Sequence, residues 1–211
     1  IFAGEILSSG GVGRRIVDFA RALLGFLPGG LGVVTVASCL MFGGVSGSAI
    51  ADTAAIGSLV IPAMVQRGYS RGFAAALLAV AGTLALLMPL SIPFLVYAFI
   101  SGVSMRQLSM AGIAPAIIAG AALMAVCVWH GRRTGCDSGD GRLSAREVWK
   151  ATKAAGPALL MPLIIVGGIW SGFFTPTESA AVAVVYGIVV SLAFYRDITV
   201  RDLPRLLVNA F

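Results

Sequence analysis

Between Phe42 and Gly57 the sequence reads FGGVSGSAIADTAAIG, which sets Ser46, Ser48, Asp52 and Thr53 among glycines inside an otherwise apolar stretch. Of the nine acidic residues, Asp52 is the one well inside such a stretch. A charge at a membrane-helix centre costs at least about 2.5–3.5 kcal/mol, so residues of this kind face a partner, a cavity or an ion path. A structural reading stands beside that one. Ser46, Ser48 or Asp52 can each cap a helix that starts after GGVSG by accepting its orphan amide hydrogens. The two readings overlap, because a helix N-terminus with free donors suits an anion and the carbonyls at the opposite half-helix end suit a cation.

A second interruption is GTLALLMPLSIP, Gly82 to Pro93. Pro89 and Pro93 each remove a backbone donor and free an upstream carbonyl, so the chain is expected to unwind around SIP. Thr83 and Ser91 add hydroxyl oxygens of the kind a hard cation takes. Two interrupted membrane segments are the best sequence pointer to a transporter's midplane site; the plainer alternative is a proline-kinked packing helix.

Other chemistry is sparse. Cys39, Cys127 and Cys136 show no CxxC spacing and no histidine pair, so neither a metal site nor a disulfide framework is indicated. The single histidine, His130, follows Trp129 at the end of an apolar span and reads as an interfacial residue beside a belt tryptophan. TPTE at 175–178 is a helix start, with Thr175 as N-cap, Pro176 at the first helical position and Glu178 as capping-box partner. Glu178 is thereby explained by structure alone.

The elements that position these residues belong in a bilayer. Of 211 residues 58% are hydrophobic and 11% charged, with mean hydropathy +0.96, whereas a soluble domain carries about 25% charged residues. The net charge of +6 falls in clusters between apolar spans: Arg14, Arg15 and Arg21, then Arg132 to Lys153, then Arg196 to Arg205. That is the cytoplasmic excess of the positive-inside rule, with Arg106 alone on the other side. Nothing interleaves aromatics with basic residues, so nucleic acid is not an expected partner.

Residues 13–27 predict an amphipathic interfacial helix, with Ile16, Phe19, Ala20, Leu23 and Leu24 on one face and Arg14, Arg15, Asp18 and Arg21 on the other. Residues 31–65 follow as two halves of about fifteen residues, roughly 22 Å each and short of a crossing, with basic flanks at both ends. They predict a re-entrant helical hairpin. A broken helix over 72–100, a plainer span over 110–130, a cytoplasmic loop over 131–154, spans over 155–174 and 176–195, and an interfacial helix from 200 complete the expectation. The opening at Ile1 reads as the tail of a helix already under way, so an internal fragment of a longer membrane protein is expected.

The stretches FGGVSGSAIADTAAIGSLVIPAMVQRGYSRGFAAAL, GTL, PLSIP and LLMPLIIVGGIWSGFFTPTESAAVAVVYG closely resemble the large membrane subunit of the tripartite ATP-independent periplasmic (TRAP) transporters, DctM-like, over essentially all 211 residues. The resemblance implies an all-α integral membrane protein of the elevator type built from two inverted repeats, of which residues 1–130 are most of the first and 155–211 the start of the second. It implies no enzyme activity and no cofactor. Sodium ions would drive uptake, across a bacterial inner membrane, of a C4-dicarboxylate, keto acid or sugar acid. A periplasmic substrate-binding protein and a small four-helix membrane subunit would be the partners. Carried over by position, the hairpin tip is Ser46, Gly47, Ser48 and Asp52, beside Thr53, and the broken-helix site is Gly82, Thr83, Pro89, Ser91 and Pro93. Sodium candidates are the oxygens near Ser46, Ser48, Thr83 and Ser91.

The chain departs from the family at Ala85-Leu86, where Gly-Pro is usual, and at Pro89-Leu90, where Pro-Pro is usual; this predicts a less unwound span. Other readings are a sodium/carboxylate symporter needing no binding protein, a non-functional truncated remnant, and a membrane enzyme such as an intramembrane protease. The last requires paired aspartates, a Ser-His arrangement or a zinc motif, which one buried aspartate and one histidine do not supply.

Overall fold

The computed structural model describes residues 11–89, 91–137 and 145–195. The expected interfacial helix from 200 and the opening residues lie outside them. Among the described residues every regular element is helical. Among the described residues four segments are long and apolar enough to cross a membrane: Ala49–Gln66, the interrupted segment Arg71–Ser101, Met105–Thr134 and Ala145–Ser171.

Helix α1 (Val12–Leu24) buries Val12, Ile16 and Ala20, one stripe at i, i+4 and i+8, and leaves Arg14, Asp18 and Arg21 exposed. The stripe packs on the two helices α2 (Gly30–Ser46) and α7 (Ala145–Ser171), which cover it, while Leu23 of the predicted apolar face stays exposed. Gly29, with φ 74°, turns the chain from α1 into α2.

Helix α2 is apolar all round, and nearly every residue from Gly29 to Ser46 is buried, as expected of a helix with no polar face. It is the axis of the fold, touching α1, α3 (Ala49–Gln66), α4 (Arg71–Leu84), α6 (Met105–Thr134) and α7. Helices α2 and α3 form an antiparallel hairpin. Val33, Val36, Cys39 and Phe42 of α2 share one core with Ile56, Val60 and Met64 of α3 and with Leu77, Leu78, Ala81 and Leu84 of α4. At 18 residues, α3 is about 27 Å long, somewhat longer than the half-span expected, because the helix continues through Pro62 to Gln66.

The 72–100 segment divides into α4, a 3₁₀ turn at Ala85–Leu87, and α5 (Ile92–Ser101). Extended backbone at Met88 and Ser91 separates the last two. Two later elements run beyond their expected limits. Helix α6 covers Met105–Thr134 and α7 begins at Ala145, so the polar segment between them is shorter than 131–154. Its flanks are good helix formers, and Arg132 and Arg133 in the last turn of α6 oppose the negative end of its dipole.

Helix α8 (Pro176–Val189) starts at the TPTE box and passes into a π-helical turn over Val190–Tyr195. There the Thr175 amide donates to Glu178 Oε2 at 2.8 Å and the Glu178 amide to Thr175 Oγ1 at 3.3 Å. Accepting the Thr175 amide and hydroxyl holds the exposed Glu178 carboxyl below its usual range. The His130 ring stacks on Phe73, 3.9 Å between centroids and 7° from parallel. The neighbouring Trp129 is 58% exposed. One residue along a helix turns the side chain by about 100°, which sends these neighbours to different faces.

Candidate functional site: the hairpin tip against the interrupted helix

The tip is a two-residue turn. Gly47 adopts φ 64°, a left-handed conformation that costs glycine nothing, and its amide returns to the Gly43 carbonyl at 3.1 Å. Ser48 is the N-cap of α3, its Oγ accepting the Ala51 amide at 3.4 Å while its own amide donates to Ser46 Oγ at 3.1 Å. Ser46 Oγ in turn donates to Asp52 Oδ1. A chain of serines thus caps the helix and fixes the carboxylate, which lies in the first turn of α3 and is fully buried.

The interrupted helix meets this tip directly. The Ile92 amide, at the start of α5, donates to the Gly47 carbonyl at 3.4 Å. Two close approaches bring the helices together behind it. Gly82 of α4 lies against Thr53 and Gly43 of α2 lies against Ala85, so a Cβ at Gly82 would collide with Thr53 Oγ1 and one at Gly43 with Ala85. Thr53 Oγ1 donates to the Ala49 carbonyl at 2.7 Å.

Two buried oxygens at this joint have no hydrogen-bond partner among the described residues: Asp52 Oδ2 and Ser91 Oγ. A polar group withdrawn from water without a partner is costly. Here two such groups flank the Ile92–Gly47 hydrogen bond between the tip and the interruption, Ser91 preceding Ile92 and Asp52 held by Ser46 beside Gly47. The donor set is oxygen throughout, which suits a hard monovalent or divalent cation rather than a thiophilic metal. No cluster of three or more His, Cys, Asp or Glu occurs among the described residues.

The sequence-selected residues divide three ways. Ser46, Gly47, Ser48, Asp52, Thr53, Gly82 and Ser91 come together at the joint. Pro89 is buried but turned toward α6, its carbonyl accepting the Ser109 hydroxyl at 3.2 Å, and the exposed Pro93 serves as a helix starter for α5. Thr83 lies outside the cluster: it is exposed, and its hydroxyl donates to the Val80 carbonyl of its own helix at 2.7 Å. The reason is helical geometry. With Gly82 facing the hairpin, the next residue points about 100° away.

Two contributors escaped the sequence reading: Gly43, which lies close against Ala85 of the interruption, and Ser109, which ties the Pro89 carbonyl to α6. A glycine amid GGVSG gave some signal for the first; a serine in an ordinary span gave none for the last.

Residues 1–211 match the family model described as "Tripartite ATP-independent periplasmic transporter, DctM component". The 2,3-diketo-L-gulonate TRAP transporter large permease protein YiaN of Escherichia coli (strain K12) is 41% identical over 210 residues, covering 100% of this chain and 49% of the relative. The C4-dicarboxylate TRAP transporter large permease protein DctM of Rhodobacter capsulatus is 37% identical over 224 residues, covering 100% of this chain and 51% of the relative. The isethionate TRAP transporter permease protein DctMQ of Oleidesulfovibrio alaskensis is 40% identical over 199 residues, 94% of this chain and 31% of the relative. The chain spans about half the length of the first two. With several helices long enough to cross a bilayer and a family match from end to end, the chain is a multi-pass membrane protein and belongs to the DctM component family of the tripartite ATP-independent periplasmic transporters.

Proposed function

We propose that this chain is part of the membrane-embedded subunit of a sodium-coupled secondary transporter that imports a small organic acid across a bacterial inner membrane. The carboxylate-bearing substrates are of the class named for its relatives, 2,3-diketo-L-gulonate and C4-dicarboxylates. A periplasmic binding protein delivers the acid and a small membrane subunit completes the assembly. The α2–α3 hairpin enters the bilayer and returns on the side it came from, and it travels with the interrupted α4–α5 segment in an elevator-like movement.

The observation that carries this reading is the joint itself. A buried carboxylate with an idle Oδ2 and a buried serine with an idle Oγ adjoin the Gly47–Ile92 contact. Sodium taken up there would bond oxygens that otherwise lack donors, and an interrupted helix is the place where backbone carbonyls are available to help. Ser46, Asp52 and Ser91 are its first ligands in this reading. Ser48 and Thr53 are near enough to the tip to meet the substrate carboxylate, and Thr83 has no part.

The test is uptake into proteoliposomes holding the full-length permease and its small subunit, supplied with the cognate binding protein and a panel of labelled organic acids. An inward sodium gradient is expected to drive uptake and an equal potassium gradient is not. Ser91→Ala is expected to raise the sodium concentration for half-maximal uptake about tenfold, the loss of one ion ligand being worth roughly 1–2 kcal/mol. Equal uptake in both gradients removes sodium from the mechanism; an unchanged half-saturation in the variant removes Ser91.

A further inference from the structure

The opposite end of the hairpin is held by a residue remote from it in sequence. Asp137, just past the C-cap of α6, is 7% exposed. Its Oδ2 accepts the Leu31 amide at 2.7 Å, and its Oδ1 bonds Arg67 Nη1 at 2.7 Å. Its backbone carbonyl accepts the Gly29 amide at 2.9 Å. The adjacent Cys136 thiol donates to the Gly68 carbonyl at 3.1 Å. Leu31 lies in the first turn of α2 and Arg67 is the C-cap of α3. One carboxylate therefore sits against the positive end of one arm and against a cation at the negative end of the other, the arrangement both helix dipoles favour.

The strengths of the contacts at the two ends are unequal. The bond tying the tip to the interruption, Ile92 to Gly47, is 3.4 Å, at the long limit for N–H···O. The two bonds at Asp137 are short and charge-assisted, the stronger kind. Helices α2 and α3, of 17 and 18 residues, are about 25 and 27 Å of stiff rod. A slip of one arm against the other by a single residue rise, about 1.5 Å, carries Gly47 out of hydrogen-bond range of Ile92. The strong end therefore sets where the weak end rests.

We propose that Asp137 is the positioning residue of the hairpin tip: it locks the bases of α2 and α3 to each other and to the end of α6, and so fixes the register in which Gly47 and Asp52 meet the α4–α5 interruption. The proposal rests on reading that tip as the ion site, and it assigns Arg67 as the partner through which Asp137 holds α3.

Amide hydrogen exchange read by mass spectrometry on the full-length permease with its small subunit tests this, first in potassium buffer without sodium. Asp137→Asn is expected to speed exchange of peptides over 44–53 about tenfold, as the loss of one charge-assisted bond would, with peptides of α7 and α8 unchanged. Arg67→Gln should do the same, and the double variant no more than either alone, since the two act as a pair. Faster exchange confined to the base, over 28–34 and 64–70, with the tip unchanged overturns the proposal and leaves Asp137 a local strap.

If Asp137→Asn speeds exchange everywhere, Arg67→Lys, which keeps the charge, must still loosen the tip selectively. A global effect there too overturns the proposal. Sodium chloride is then titrated against potassium chloride at constant ionic strength. Protection of the tip is expected at several-fold higher sodium in Asp137→Asn than in the parent. If sodium protects nothing even in the parent, the ion-site reading fails on its own, while the potassium comparison still decides whether Asp137 positions the tip.

Discussion

The α2–α3 hairpin carries one buried aspartate against each of its ends, and the two are treated differently. Asp137, at the base, uses both carboxylate oxygens and its carbonyl, against a backbone amide on α2, a guanidinium on α3 and the turn at Gly29. Asp52, at the tip, uses Oδ1 on Ser46 and leaves Oδ2 with no partner among the described residues. Breaking a buried ion pair from one side is destabilising because it strands the other charge. A carboxylate that lacks a full set of partners is a departure from local consistency, of the kind proteins retain at functional sites. Under the proposed function the base holds the hairpin and the tip receives the ion.

The sharpest way to break that comparison is to remove the charge at each aspartate in turn. Asp52→Asn is expected to abolish sodium-driven uptake, by a hundredfold or more, about 3 kcal/mol of lost ion binding, with the thermal midpoint unchanged or raised. Asp137→Asn is expected to lower the midpoint and to reduce uptake less. Uptake and melting of the full-length protein read both. If Asp52→Asn lowers the midpoint as much as Asp137→Asn does, the two aspartates are equally structural and the contrast fails.

A second test bears on why the tip can approach the interruption at all. A side chain at Gly43 would press on Ala85 and crowd Asp52 Oδ2. Gly43→Val should therefore part α2 from the interruption, costing about 1–3 kcal/mol as overpacking does, and should weaken sodium dependence together with stability. Restoring the space with Ala85→Gly is expected to recover part of both. Recovery of neither places the damage elsewhere.

Thr83 sharpens the boundary of the site at smaller cost. Its hydroxyl is already spent on the Val80 carbonyl and it is exposed, so Thr83→Ala should shift the sodium half-saturation less than about twofold, within the ±0.5 kcal/mol of ordinary surface changes. A tenfold shift would bring α4 into the site by a face the structure turns outward.

That residue also shows how far the sequence could be read. Both interruptions were legible, because glycine, serine and proline in an apolar run leave few other ways to end a helix, and the serine caps and the TPTE box follow from local chemistry. Facing was not legible. Gly82 and Thr83 are adjacent letters of which only one meets the hairpin, and choosing between them needs the rotation of α4 about its own axis, which distant contacts set. The clamp at Asp137 was invisible for a related reason. Its partners lie 106 and 70 positions away, and an acid in a polar segment carries no mark of burial. Nor did periodicity reveal that α1 spends its apolar stripe on protein. An amphipathic pattern says that one face is covered, without saying by what.

A third carboxylate calibrates the other two and gives the smallest expected effect. Glu178 is exposed, and its donors, the Thr175 amide and hydroxyl, are three residues away. Those bonds favour the ionised form and lower its pKa from the usual 4.5. A carboxyl whose folded value is depressed contributes stability that is complete above its unfolded pKa and is lost as pH falls through the lower folded value. The capping contribution should therefore be whole above about pH 4.5 and fade below it. Glu178→Gln keeps an acceptor for the cap but no charge, so its thermal midpoint should lack that component of pH dependence while other carboxyls titrate alike in both proteins. The difference between the two melting curves, small near neutrality, is expected to close as the solution is acidified through this range. Curves that stay parallel would mean that the charge at the helix start contributes nothing beyond its hydrogen bonds, and that a locally satisfied carboxylate is no guide to the buried pair.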